Sequence, residues 1–214
     1  MELLAVQVGK ARLAGDLALP APARGIVAFA HGSGSSRASP RNRYVAGVLH
    51  GHGLGTLTFD LLSEAESADR RNVFDIGLLG ARMVDALDWL ASQDVTARLR
   101  VGLFGASTGS AAALCAAAAR PSHVAAIVSR GGRPDLARDC LPIVSAPTLL
   151  IVGGNDRDVL RLNREALRML QCCKRLEVVP GASHLFEEPG TLDAAAHLAG
   201  AWFQTHLASP GAAP

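Results

Sequence analysis

RVGLFGASTGSAAALCAAAA, residues 100–119, is the stretch that decides how this chain is read. An apolar run ending at Phe104 meets Gly105-Ala106-Ser107-Thr108-Gly109, and an alanine-rich helical run follows without a break. The pattern predicts strand, sharp turn and helix, with Ser107 at the apex and a glycine two residues to either side. Such a turn needs strained backbone angles at the serine, and side chains at the flanking positions would collide with the neighbouring strand and helix. Small residues at Ser110, Ala111 and Ala112 let the helix start close to the sheet, its N-terminus aimed at the serine. The same pentapeptide arises by chance in chains rich in Gly and Ala, so the order of the other elements has to select between the two readings.

That order is regular. Leu3 to Val8 and Ala11 to Leu19 read as an antiparallel hairpin turning at Gly9-Lys10. Gly25 to Ala30 is a short apolar run suited to a strand buried on both faces, and it ends in the small-residue loop His31 to Ser36. Ser39-Pro40 opens a helix through His52, Thr56 to Phe59 is a strand, and Asp60 starts a polar loop through Asn72. Phe74 to Ala91 carries Ile76, Leu79, Met83, Leu87 and Leu90 at helical spacing. Beyond residue 119 the predicted strands are Val124 to Ser129, Pro147 to Val152 and Arg175 to Val179, and the helices are Leu160 to Leu170 and Thr191 to Leu207. Arg130 to Ile143 reads as a loop with one helical turn. Strand–helix alternation of this kind calls for an α/β fold, a mostly parallel sheet of about eight strands with helices on both faces. Nothing between Ser129 and Pro147 is long enough for a cap domain, so a shallow, open pocket is expected. One domain over residues 1–207 and a frayed tail over 208–214 complete the reading.

In parallel sheets, ligands sit beyond the carboxyl ends of the strands, so candidate catalytic residues should follow strands. Ser107 does. A serine hydroxyl needs a base, and seven histidines are available. His50, His52, His197 and His206 lie in predicted helices, and His123 lies at the wrong end of the sheet. His184, in the loop after the last strand, is the candidate base, with His31 placed structurally under its own loop. The base in turn needs an acid to fix its tautomer. Asp156, after the strand ending at Val152, fits; Asp158 suits the start of the following helix, and Asp135 is a weaker third. The donors for a developing oxyanion are expected from the backbone N–H of Thr108 and from the loop after Ala30, at Ser33 with Gly34 as the alternative. Arg37, Arg41 and Arg130 also follow strands and are candidates for binding an anionic substrate group. The competing expectation is that Arg37 or Arg41 pairs with loop carboxylates such as Glu64 or Glu66.

The segments FAHGSGSSRASPRNR (29–43), GASTGS (105–110), SRGGRPDL (129–136), APTLLIVGGNDRDV (146–159) and VVPGASHLFEEPG (178–190) resemble the dienelactone-hydrolase-like members of the α/β-hydrolase superfamily. The resemblance implies the α/β-hydrolase fold and a triad of Ser107, Asp156 and His184, working on a small-molecule ester without cofactor or metal. Dienelactone hydrolase itself uses a cysteine nucleophile where this chain has Ser107, so the resemblance assigns no substrate. Thioesterase or acyltransferase chemistry on the same triad, and a non-catalytic hydrolase-fold role, are the alternatives.

Other classes fit less well. A dinucleotide-binding oxidoreductase would want its glycine loop after the first strand and a Tyr-x-x-x-Lys pair, whereas the single tyrosine, Tyr44, is followed by Val48 four residues on. A phosphate-binding Walker A loop would want a lysine after Gly109. Twenty-one Lys and Arg against nineteen Asp and Glu leave a formal charge of +2, with no basic run or aromatic platform for nucleic acid. No apolar stretch approaches the roughly 18 residues of a membrane span, and no secretion signal is apparent at the amino terminus. Cys115 reads as a small buried thiol, and Cys140, Cys172 and Cys173 lack the spacing of a zinc site. A cytoplasmic monomer or homodimer is expected.

Overall fold

In the computed structural model, residues 3–207 are described. The expected tail at 208–214 lies outside them. Eight strands form one sheet: β1 (Leu3–Val8), β2 (Leu13–Ala18), β3 (Ile26–Ala30), β4 (Gly55–Phe59), β5 (Val101–Ala106), β6 (Ala126–Arg130), β7 (Thr148–Gly153) and β8 (Lys174–Val179). Their order across the sheet is β1-β2-β4-β3-β5-β6-β7-β8. β2 runs antiparallel to both β1 and β4, and every pair from β4 onward is parallel.

Alternation along the strands sorts the core into two layers. Leu103 and Leu150 face one side of the sheet with Leu79, Met83 and Leu87 of α4 (Ile76–Ser92) and the alanines of α5 (Thr108–Ala119). Phe29, Phe104 and Ile151 face the other, against α1 (Pro40–Gly51) and α7 (Thr191–Leu207). α6 (Arg157–Met169) contributes Ala166 to the first layer. Both faces of the central strands are therefore dry, which is why they read as unbroken apolar runs.

Three local expectations change. The first hairpin turns over Gly9 to Arg12 rather than over two residues, with Gly9 and Arg12 both at positive φ. The stretch expected as a polar loop after β4 contains two short helices, α2 (Glu64–Ser67) and α3 (Arg70–Val73). Ser63 and Glu66 cap α2 reciprocally, and Asp69 caps α3 through the Arg71 N–H. Cys115 is not a free thiol. It is bonded to Cys140, with Cα atoms 5.3 Å apart, because the segment after β6, which includes the 3₁₀ turns Pro134–Ala137 and Leu141–Ile143, folds back on α5. Among the described residues, no helix is long and apolar enough to cross a membrane.

Candidate active site

β5 delivers Ser107 into the turn at φ 51° and ψ −122°, a backbone state that L-residues rarely adopt. The glycines on either side permit it. A Cβ on Gly105 would lie 2.4 Å from the Ser110 Cα, and one on Gly109 would lie 2.1 Å from the Ala30 carbonyl oxygen. The first glycine therefore lets helix α5 start against its own strand, and the second lets it pass β3.

His184 and Asp156 arrive from neighbouring strand ends. The loops after β7 and β8 are stitched together, the Asn155 N–H and Nδ2 donating to the carbonyls of Ala182 and Gly181. Gly153 makes this crossing possible, since a Cβ there would sit 2.3 Å from the Ala182 oxygen. Asp156 precedes α6 but makes no capping bond, leaving its carboxylate to the imidazole. His184 Nδ1–H donates to Asp156 Oδ2 at 2.6 Å. That bond leaves Nε2 as the acceptor, 3.3 Å from Ser107 Oγ. Asp158 is exposed in the first turn of α6, and Asp135 is held by a two-pronged pair with Arg133.

His31 is structural, as expected. Its Nδ1–H donates to the Gly32 carbonyl and its Nε2 accepts the Leu61 N–H, fixing the loop after β3 to the end of β4. Burial pushes its pKa below the usual histidine range, outweighing the Gly32 carbonyl and Asp60.

The expected oxyanion donors differ from one another. The Thr108 N–H opens α5 and has no intrahelical acceptor. The Ser33 N–H is already engaged, donating to Thr108 Oγ1 at 2.8 Å. The threonine hydroxyl therefore ties the β3 loop to the nucleophile turn, a role beyond the backbone N–H expected of Thr108.

Two hollows flank the site. A cavity of about 430 Å³ lies towards α3 and α4, lined by Ser33, Gly34, Leu61, Leu62, Val73 and Leu79. A recess of about 230 Å³ lies towards α1 and contains Ser107 and His184 together with Arg41, Asn42 and Arg130.

The three candidate arginines thus part company. Arg37 is spent on structure, corrected from a substrate-binding candidate. Its N–H and Nη1 donate to Asp60 and its Nε lies 3.6 Å from Asp16, so its partners are neither Glu64 nor Glu66. Glu66 pairs with Arg82 instead. Arg41 lies 3.5 Å from the exposed Glu187 while lining the recess. Arg130 is 6% exposed, and its guanidinium stands 5.5 Å from the Phe186 ring centroid. Burial, with Arg41 nearby, pushes its pKa down to about 10, so it remains a cation at neutral pH.

An elbow serine after a central parallel strand, in this sheet order, defines the α/β-hydrolase class. The dienelactone hydrolase family profile matches residues 62–206, and the chain belongs to that family. A dienelactone hydrolase from Anabaena variabilis is similar at 58% identity and a TM-score of 0.93, covering 96% of this chain and 97% of that one. Est1E from Butyrivibrio proteoclasticus shares the fold at 13% identity and a TM-score of 0.81, covering 96% and 99%. Two Mycobacterium tuberculosis proteins named "putative phosphoribosyl transferase" are 59% identical over 210 residues. Those residues are 98% of this chain and 47% of theirs, so the chain spans about half the length of these curated relatives.

Proposed function

We propose that this hydrolase cleaves carboxylic esters through an acyl-enzyme, with Ser107 as nucleophile, His184 as base and Asp156 as the orienting acid. The observation that carries this reading is the continuous relay from Asp156 Oδ2 through His184 to Ser107 Oγ, at 2.6 and 3.3 Å. Ser107 Oγ bonds to the acyl carbon as its proton passes to His184 Nε2. His184 then returns that proton to the departing oxygen as the acyl–oxygen bond breaks. Water repeats the sequence on the acyl-enzyme, using the same base. The Thr108 N–H meets the developing oxyanion, and the Ser33 N–H joins it when it leaves Thr108 Oγ1. The apolar cavity lined by Leu61, Leu62, Val73 and Leu79 receives the acyl chain.

The named activity of the mycobacterial relatives belongs to proteins about twice this length, and this chain supplies no observation that favours it. A fluorophosphonate that phosphonylates the nucleophilic serine of serine hydrolases, the O–P bond forming as fluoride leaves, tests the proposal. Label located on Ser107 by mass spectrometry, and lost in Ser107→Ala, supports it; a folded protein that takes no label, or a Ser107→Ala variant with unchanged ester turnover, overturns it. A panel of matched esters and thioesters then separates esterase from thioesterase chemistry.

A further inference from the structure

The cavity beyond Ser33 has an apolar floor, a fixed wall and no cation. Leu61 and Leu62, just after β4, and Leu79 of α4 make the floor, all three buried among their neighbours. The outer wall is the α2–α3 segment, which contributes Glu64, Ser67 and Val73. That wall is pinned. Arg82 Nη2 on α4 donates to Glu66 Oε1 at 2.6 Å, and Asn72 Nδ2 on α3 donates to the Glu66 carbonyl at 2.9 Å, so one residue of α2 ties three helices together. A space of about 430 Å³ between elements held in this way is a preformed site of ligand size. Among the described residues, neither lysine nor arginine lines it. Its carboxylates are Asp60, which is paired with Arg37, and Glu64, which has no ion pair among the described residues. The space therefore suits an apolar group and repels an anionic one.

The cavity also has a defined place in the reaction. Attack by Ser107 Oγ leaves the carbonyl carbon with four substituents. One is Oγ, one is the oxyanion at the Thr108 N–H, and one is the departing oxygen, which must face His184 Nε2. The acyl chain is the fourth. The recess of about 230 Å³ contains His184 and so takes the leaving group. The larger cavity contains neither Ser107 nor His184, but it includes Thr108 and shares Gly32, Ser33 and Ser35 with the recess. The acyl chain therefore passes the contact between Ser33 and Thr108 and lies over the leucine floor.

We propose that this cavity selects acyl chains by length and charge, so that the preferred substrates are esters of uncharged straight-chain acids of about six to ten carbons, with Val73 and Leu79 setting the limit. This rests on the serine-hydrolase reading above and assigns the acyl class of that site. At about 30 Å³ for each non-hydrogen atom, the share of a water molecule in the liquid, the cavity holds at most about 14 atoms, and its open mouth leaves part of that to solvent. An acetyl group leaves it almost empty.

The test is a kcat/KM series over 4-nitrophenyl acetate, butyrate, hexanoate, octanoate and decanoate, one leaving group throughout, below micelle-forming concentrations. Each methylene that enters the cavity should raise kcat/KM by about two- to fourfold, and the rise should stop by decanoate. The 4-nitrophenyl monoester of adipic acid, a six-carbon chain ending in a carboxylate, should be slower than hexanoate by at least about tenfold. Val73→Trp takes up part of the space and should cut the octanoate-to-acetate ratio by at least about tenfold. Leu79→Ala enlarges the space and should move the optimum to a longer chain; Val73→Trp, on a half-buried short helix, serves alone if Leu79→Ala does not fold. Lengthening the alcohol instead, from ethyl to octyl acetate in a pH-stat, should give no comparable rise. A rise there as steep as in the acyl series overturns the assignment to the acyl chain. A flat acyl series, acetate as the fastest ester, or an unmoved chain-length profile in the folded variants overturns the proposal and leaves the Ser107 chemistry standing. Absence of turnover for every ester overturns the hydrolase reading instead. Calorimetric titration with hexanamide then reads the cavity alone: binding weakened at least about tenfold in Val73→Trp supports the site, and equal binding in both proteins overturns it.

Discussion

Replacing Ser107 by glycine should give a more stable protein than replacing it by alanine, although both variants lack the nucleophile. Ser107 is held at φ 51° and ψ −122°, where a Cβ is crowded by its own backbone. A residue kept in such a region costs about 1–3 kcal/mol. Alanine keeps the Cβ and the strain. Glycine removes the strain but loses more conformational freedom on folding, about 0.5–1 kcal/mol. Both variants lose the hydroxyl and its contact with His184, so that contribution cancels in the comparison. The net expectation is that Ser107→Gly is the more stable by about 1 kcal/mol from the middle of these ranges and by at most about 2.5, or a few degrees in Tm for a chain of this size. Urea unfolding followed by circular dichroism, with m-values checked for equality, measures the difference, and scanning calorimetry gives Tm. Both variants should lose at least about 10³-fold in ester turnover. A Ser107→Ala variant more stable than Ser107→Gly would refute the claim that the turn stores strain to present its hydroxyl.

Asp156→Asn should leave the fold intact and lower kcat by about 10⁴-fold, because the amide favours the wrong imidazole tautomer; steady-state kinetics on a neutral ester would show it. His31 is held below its ordinary pKa of 6.5 by burial, so the unfolded chain binds its proton first as pH falls. Its contribution to stability is full above about 6.5 and is lost as pH drops from there towards the lower folded value. His31→Gln, which keeps an acceptor for the Leu61 N–H, should flatten that slope in chemical unfolding measured across the range. His50 and His206 are also lowered by burial and titrate in the same direction, so the comparison with wild type isolates His31. The Cys115–Cys140 bridge closes a separation of 25 residues, and its reduction should cost about 3.5 kcal/mol by the chain-entropy argument. Urea midpoints that do not move with reductant would contradict this.

The sequence by itself determined the order of elements and three strand-end residues. Periodicity and small-residue loops are local signals, and the rule that sites follow parallel strands converts them into positions: Ser107, Asp156 and His184 could be chosen from many serines, aspartates and histidines without coordinates. The short helices α2 and α3 escaped because four-residue helices carry no periodicity, only the caps at Ser63 and Asp69. The partners of charged groups escaped for a different reason. Arg37 and Arg130 both follow a strand and look alike in one dimension. β4 and β2 bring Asp60 and Asp16 to Arg37, whereas the loop after β8 brings the Phe186 ring to Arg130, which has no ion pair among the described residues. The Cys115–Cys140 bridge and the engagement of the Ser33 N–H by Thr108 Oγ1 likewise join residues far apart in the chain. Which polar groups are satisfied, and which are left facing a recess, is a property of packing between elements, so only the tertiary structure decided it.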